Sequence, residues 1–277
     1  MPTPPISFEF FPPRNEEQAL ILRSTWQKLA RLAPRYLTVT FGAGGSAQDA
    51  TVKTVEELLE RADAPVAAHI SCMAPGVEML DGLLDHYQQT GVNRLVVLRG
   101  DPPETLEFEP PFRYANELVA HVRERYGDHF HIEVGCYPEI HPESPDLASE
   151  IYWFGEKVRA GADGAITQYF FEADTYFRFV DLCREAGIDI PITPGIMPIT
   201  NYTQLARFSA RCGAIIPPWL EERLVGFGED RAAIREYGLD VITDLCEQLL
   251  EGGAPGLHFY TLNRANATMK IWQRLRS

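Results

Sequence analysis

Basic residues are scarce in this chain of 277 residues: 25 Lys and Arg stand against 39 Asp and Glu, a formal net charge of −14. So acidic a molecule repels polyphosphate backbones and anionic lipid, which argues against nucleic acid and membrane surfaces as partners. Cysteine is also sparse. Cys72, Cys136, Cys183, Cys212 and Cys246 form an odd set without CxxC spacing, so they are expected to be reduced and mostly buried, neither a disulfide framework nor a zinc knuckle. No uncharged apolar run approaches the roughly 20 residues that a membrane-spanning helix needs. The start, Met1-Pro2-Thr3-Pro4-Pro5, lacks the basic region and apolar core of a secretion signal, and a cytoplasmic protein is expected. What remains is a hydrophobic fraction of 45%, with 11% aromatic and 23% charged residues, enough for a large core and unlike disordered, collagenous or coiled-coil chains.

Short β-branched or aromatic runs alternate with longer amphipathic stretches, and the pattern repeats eight times. Strands are predicted at Ile6 to Phe11, Tyr36 to Phe41, Val66 to Cys72, Arg94 to Arg99, His131 to Tyr137, Ala165 to Phe170, Ile192 to Met197 and Leu257 to Leu262. Helices are predicted at about Glu16 to Ala33, Ala47 to Ala62, Gly76 to Thr90, Arg113 to Tyr126, Asp146 to Ala160, Asp174 to Ala186, Tyr202 to Arg211 and Asn266 to Arg276. Gly91, Gly161 and Gly187 stand where helix-ending glycines belong, and an additional helix is predicted at about Asp230 to Glu251, before the eighth strand. Eight βα units without a linker or composition break point to an α/β fold, a (β/α)₈ TIM barrel spanning residues 1–277 as one catalytic domain. A competing signal is Gly42-Ala43-Gly44-Gly45-Ser46-Ala47, which satisfies G-x-G-x-x-A, with Asp63 near the place of a ribose-binding acid. It follows the second strand, whereas dinucleotide fingerprints normally follow the first. In a barrel the same glycines simply let a loop approach a ligand closely.

In a barrel enzyme the chemistry sits where strands end, so polar residues there carry the information. In Ile6-Ser7-Phe8-Glu9-Phe10-Phe11, alternation puts Ser7, Glu9 and Phe11 on one face and Ile6, Phe8 and Phe10 on the other. If the apolar set packs on helices, Glu9 points into the barrel. Burial with little water favours the neutral form of a carboxyl, as a general acid working near neutrality requires. An ion pair with Arg99 or another inward cation is the alternative. Arg99 and Asp101 flank Gly100 at a loop entrance, suited to an anion and a heterocycle N–H, or to a local Arg–Asp tie. Tyr137 offers a stacking face and His141 a hydrogen-bonding tip. His69, Cys136 and His141 lack metal-site spacing, and no metal is expected. Asp128, His129 and His131 read as a solvated strand start at the opposite barrel end. Arg264 adds a cation to the catalytic face, or caps the barrel rim. A flat heteroaromatic ligand suits this set.

Taken together, Ser7-Phe8-Glu9-Phe10-Phe11-Pro12-Pro13, Val39-Thr40-Phe41-Gly42-Ala43, Leu98-Arg99-Gly100-Asp101, Tyr137-Pro138-Glu139-Ile140-His141-Pro142-Glu143, Ala165-Ile166-Thr167-Gln168 and His258-Phe259-Tyr260-Thr261-Leu262-Asn263-Arg264 resemble methylenetetrahydrofolate reductase, in that family's order and spacing from Ser7 to Arg264. The resemblance implies reduction of 5,10-methylenetetrahydrofolate to 5-methyltetrahydrofolate by NADH or NADPH through bound FAD. It implies Glu9 as general acid and Asp101 as the carboxylate beside the flavin. It places FAD at Thr40, Phe41, Ala43, His69, Arg99, Gly100, Asp101, Tyr114, Ala115, Tyr137, His141 and Lys157, and folate at Gln168 and Arg264. The implied partners are folate and a nicotinamide nucleotide, and the implied assembly is a homo-oligomer.

The chain departs from the family pattern at Glu150, Trp153 and Glu156, where bacterial relatives often carry Asp, Asn and Arg, and the segment from Trp219 to Leu224 departs from a stretch that contacts folate in some members. Lys157 is retained and could reach a phosphate. The chain ends soon after Arg264, so a C-terminal regulatory domain is not expected. Two alternatives are carried forward: a flavin-free reductase with direct hydride transfer from the nicotinamide, and a folate- or flavin-binding barrel without catalysis.

Overall fold

In the computed structural model, residues 4–41, 45–101 and 108–276 are described, without the side chains of 45–47. The order is β1 (Ile6–Phe10), α1 (Glu16–Ala30), β2 (Tyr36–Val39), α2 (Gly45–Arg61), β3 (Val66–Ser71), α3 (Val77–Gln89), β4 (Arg94–Leu98), α4 (Ala115–Tyr126), β5 (His131–Cys136), α5 (Leu147–Arg159), β6 (Gly164–Thr167) and α6 (Ala173–Glu185). It continues with β7 (Ile192–Thr193), β8 (Gly195–Ile196), α7 (Tyr202–Cys212), α8 (Pro218–Gly226), α9 (Arg231–Glu251), β9 (Leu257–Tyr260) and α10 (Ala265–Arg274). Consecutive strands pair in parallel from β1 to β7, β9 pairs with both β1 and β8, and the ring closes through Pro194 between β7 and β8. The expected TIM barrel is therefore formed, and a closed ring removes the open-sheet dinucleotide reading. Asp63 is exposed after the foot of α2, at the opposite end from the β2–α2 loop, and so cannot serve a ribose there.

Helix starts follow local chemistry. Asn15, Asp146 and Asn201 each accept a backbone N–H of the first turn of α1, α5 and α7, and Asp230 accepts two at α9. Gly91, Gly161 and Gly187 take φ of 87°, 116° and 76° just past α3, α5 and α6, the left-handed region where glycine is favoured.

The seventh stave corrects the sequence reading. The expected run Ile192 to Met197 is broken into β7 and β8 because Pro194 has no N–H to donate to the ladder. The Gly195 N–H instead reaches the Thr167 hydroxyl at 2.9 Å, and the His258 N–H takes the Pro194 carbonyl at 3.0 Å. Helix α8 was also not anticipated; Pro218 stands at its first position, a place that tolerates the missing N–H.

Strand alternation separates two layers. Phe8, Phe10, Leu37, Val39, Ile70, Val97, Val134 and Phe259 face the helices in one continuous apolar core. Tyr36, Ala67, Val96 and Ile166 pack inside the ring, where Ser7, Glu9, Thr38, His69, Glu133 and His258 are also buried. Cys72, Cys136, Cys183 and Cys246 are buried free thiols and Cys212 is half-buried. Among the described residues no helix is long and apolar enough to cross a membrane.

The seam gives the first prediction. A Cβ at Gly195 would lie 2.2 Å from the Thr167 carbonyl oxygen and 2.5 Å from the Tyr260 ring. Gly195→Ala is expected to cost about 1–3 kcal/mol of stability, by overpacking. The check is a lower urea midpoint at unchanged slope; an unchanged midpoint would show that the seam relaxes freely.

Candidate active site

Because Ile6, Phe8 and Phe10 pack outward, Glu9 is turned into the ring, where it is 8% exposed. Its Oε2 lies 3.6 Å from His69 Nε2 and 3.8 Å from His258 Nε2. Burial pulls the His69 pKa down to about 4, against Glu9, which raises it, and with His258, which lowers it further. His69 is thus neutral near neutrality, and its approach to Glu9 is no ion pair. Among the described residues, neither His69 ring nitrogen has a hydrogen-bond partner. His258 is fully buried, and its Nδ1 meets Ser7 Oγ at 2.7 Å. Reading the sequence did not single out His258, although a histidine alternating with Leu257 and Phe259 on a strand must face inward.

The alternative pairing of Glu9 with Arg99 does not form, and neither does the local tie of Arg99 with Asp101. Arg99 makes a two-pronged pair with Glu143, at 2.5 and 2.7 Å, because the loop after β5 folds over the end of β4. This hydrogen bonding raises the Arg99 pKa and lowers that of Glu143. Asp101 is exposed, with Arg211 Nη2 at 3.9 Å. Between them Gly100 has φ 79°, and a Cβ there would meet Ser71 Oγ at 2.1 Å, so the backbone passes bare and close.

The remaining positions surround this rim. Thr40 and Phe41, half-buried after β2, line a cavity of about 930 Å³ together with Phe11, Arg14, Leu262 and Arg264. Ala43 lies outside the described residues. Tyr114 precedes α4 and stacks on Trp153, with centroids 5.6 Å apart, while Ala115 opens the helix in the core. Tyr137 and His141 meet edge to face at 4.7 Å. Lys157 Nζ donates to the Gly135 carbonyl at 2.7 Å, and burial pulls its pKa down. Nearby Glu150 accepts from Ser144, and Glu156 pairs with Arg159. Gln168 is half-buried just past β6, its Oε1 accepting the Tyr169 N–H at 3.0 Å. His131 lies at the opposite barrel end, as expected. Among the described residues no cluster of three or more metal-ligating side chains forms.

An acid in the axis and cations on the rim at the strands' carboxyl ends define a (β/α)₈-barrel enzyme. The sequence model described as methylenetetrahydrofolate reductase matches residues 3–276. The 5,10-methylenetetrahydrofolate reductase of Pectobacterium carotovorum subsp. carotovorum is 36% identical over 270 residues, covering 98% of this chain and 89% of that protein. Methylenetetrahydrofolate reductase (NADH) 1 of Arabidopsis thaliana is 36% identical over 282 residues, 97% of this chain and 48% of that one. A solved structure of an uncharacterized Clostridium thermocellum protein that binds two copies of 5-methyl-5,6,7,8-tetrahydrofolic acid shares the fold, with a TM-score of 0.64 at 16% identity over 99% of this chain and 93% of that one. The chain belongs to the methylenetetrahydrofolate reductase family and is an oxidoreductase.

The buried imidazole gives a pH prediction. With the folded pKa of His69 at about 4, below its ordinary 6.5, the unfolded chain takes the proton first as pH falls. The stability contribution is complete above 6.5 and is lost as pH falls from 6.5 towards 4. His69→Gln should flatten this limb of a plot of unfolding free energy against pH. An equally steep limb in the variant would assign the proton to another group.

Proposed function

We propose that this chain, as one catalytic domain, reduces 5,10-methylenetetrahydrofolate to 5-methyltetrahydrofolate with NADH or NADPH as donor, FAD as cofactor and Glu9 as general acid. The observation that carries the reading is Glu9 itself, a carboxyl 8% exposed at the carboxyl end of β1 with two buried imidazoles beside it. The names of the bacterial and plant relatives support the reaction, and the plant name supports NADH. The folate bound by the Clostridium thermocellum protein supports the substrate class.

The residues present fit FAD. His69, buried in the axis, carries ring nitrogens without a partner among the described residues. Arg99 is a cation whose partner Glu143 is 61% exposed and so can be exchanged for another anion. Arg99, Gly100, Asp101, Tyr137, His141 and Lys157 would hold it, with the Tyr114–Trp153 stack beside the start of α4. When bound, FAD supplies hydride, received from the nicotinamide, to the folate methylene carbon.

Glu9 holds a proton and delivers it to the folate nitrogen as the five-membered ring opens to an iminium. The Asp101 carboxylate supplies counter-charge to that cation. Gln168 contributes a side-chain amide and Arg264 an exposed guanidinium suited to a folate carboxylate. The cytoplasm and a homo-oligomer complete the reading, both resting on the sequence and family alone. Yellow protein that releases FAD on denaturation is expected; colourless, active protein would favour the flavin-free reductase.

Two substitutions test the roles. Glu9→Gln should leave reduction of the flavin by NADH intact and slow reduction of folate by about 10² to 10⁴. Stopped-flow absorbance separates the two, and equal slowing of both would make Glu9 a structural residue. Asp101→Asn should likewise spare the first half-reaction and weaken the second, and a wild-type rate with folate would remove Asp101 from the chemistry.

A further inference from the structure

Reduction of methylenetetrahydrofolate by NADH consumes one proton from solvent per turnover, so a general acid buried in the axis must be recharged each time. The polar groups below Glu9 form a line down the axis to the opposite end of the barrel. His258 Nε2 is 3.8 Å from Glu9 Oε2, close enough for a small side-chain rotation to make the hydrogen bond, and His258 Nδ1 is bonded to Ser7 Oγ at 2.7 Å. Ser7 and Tyr36 are register partners on β1 and β2 and both turn into the axis, and the Tyr36 pKa, raised by burial and Glu133, is lowered by Ser7. The Tyr36 hydroxyl donates to Glu133 Oε1 at 3.3 Å, and His131 Nε2 approaches the same oxygen at 3.4 Å. The outermost of these groups is the one most open to water: the His131 side chain is 34% exposed, against 7% for Glu133. Ser7, Tyr36, Glu133 and His131 together line a cavity of about 40 Å³ at the N-terminal mouth.

We propose that protons reach Glu9 from the N-terminal mouth of the barrel, passing by way of His131, Glu133, Tyr36, Ser7 and His258. This rests on Glu9 being the general acid. In each passage solvent loses one proton and the Glu9 carboxylate gains it. The two imidazoles and the two hydroxyls each accept one proton and release another, the Glu133 carboxylate takes one from His131 and passes it to Tyr36, all return to their starting state by rotation about side-chain bonds, and nothing is oxidised or reduced. His258 and Ser7 are therefore positioning residues that act through Glu9. A purely structural network accounts for Arg94, which pairs with Glu133 at 3.1 Å and lies 4.5 Å over the Tyr36 ring. It does not account for the continuation through Ser7 to His258 Nε2, a buried ring nitrogen without a hydrogen-bond partner among the described residues. An apolar filling of the axis would avoid that desolvation. A route from below also serves Glu9 while ligands cover the catalytic face.

The test compares first and later turnovers of the holoenzyme, reduced with NADH and mixed with methylenetetrahydrofolate in the presence of a pH-indicator dye. Tyr36→Phe, which removes one hydroxyl from the line, should complete the first turnover at the wild-type rate because that turnover draws only on the proton that Glu9 delivers as general acid. Later turnovers and dye-reported proton uptake should slow together by about 10²-fold, with KM for folate and reduction by NADH unchanged. Ser7→Ala should behave alike and carries the test if Tyr36→Phe does not fold. Equal slowing of first and later turnovers would overturn the route by assigning these residues a structural role, and wild-type behaviour throughout would overturn it by placing proton entry at the catalytic face. Glu9→Gln is the control. If it keeps a normal first turnover, the general-acid reading itself fails; if it loses that turnover while Tyr36→Phe is unaffected, only the route fails.

Discussion

The demand on which this structure turns is a carboxyl group placed on the axis of a barrel. Removing Glu9 from water costs several kcal/mol unless neighbouring dipoles compensate, and the interior is organised around that demand. Ser7, Thr38, His69 and His258 fill positions where apolar side chains would pack at less cost. What keeps the strand in register is its other face. Phe8 and Phe10 are fully buried against the helices, and a one-residue slip would drive both into the polar axis. The apolar half of β1 thus fixes the position of its ionisable half.

An acidic protein proposed to bind anionic ligands must concentrate its few cations where they are needed. Arg99, Lys157 and Arg264 gather about the carboxyl ends of the strands. The first two are occupied within the chain, Arg99 by Glu143 and Lys157 by the Gly135 carbonyl. Such pairing keeps a cation oriented while its natural partner is away, at the cost of an exchange when that partner arrives.

Alternation made the staves legible, and with them the inward turn of Glu9, because the period of two is a property of the extended chain. Capping residues and helix-ending glycines were legible for the same local reason. The break at Pro194 was visible as a residue but not as a consequence, since a proline's effect depends on which neighbour needed its N–H. Arg99 seeks Glu143 from 44 positions away, and loops that fold over one another leave no periodic trace in sequence. His258 was within reach of the alternation argument. Its neighbours Ser7 and Glu9 belong to the other end of the chain, so nothing local marked it as special. Helix α8 had its proline signal, but a stretch read only for what it lacks is easily left without a structure.

Pro194 also gives the ring a seam. Every other junction between neighbouring staves has three or more register pairs, whereas β6 to β7 and β8 to β9 have two each, on opposite sides of the break. A cask with one lapped joint swells at the joint. The hoop is thus laced most sparsely beside Thr167 and Gln168 and more closely at the staves that carry Glu9 and His69.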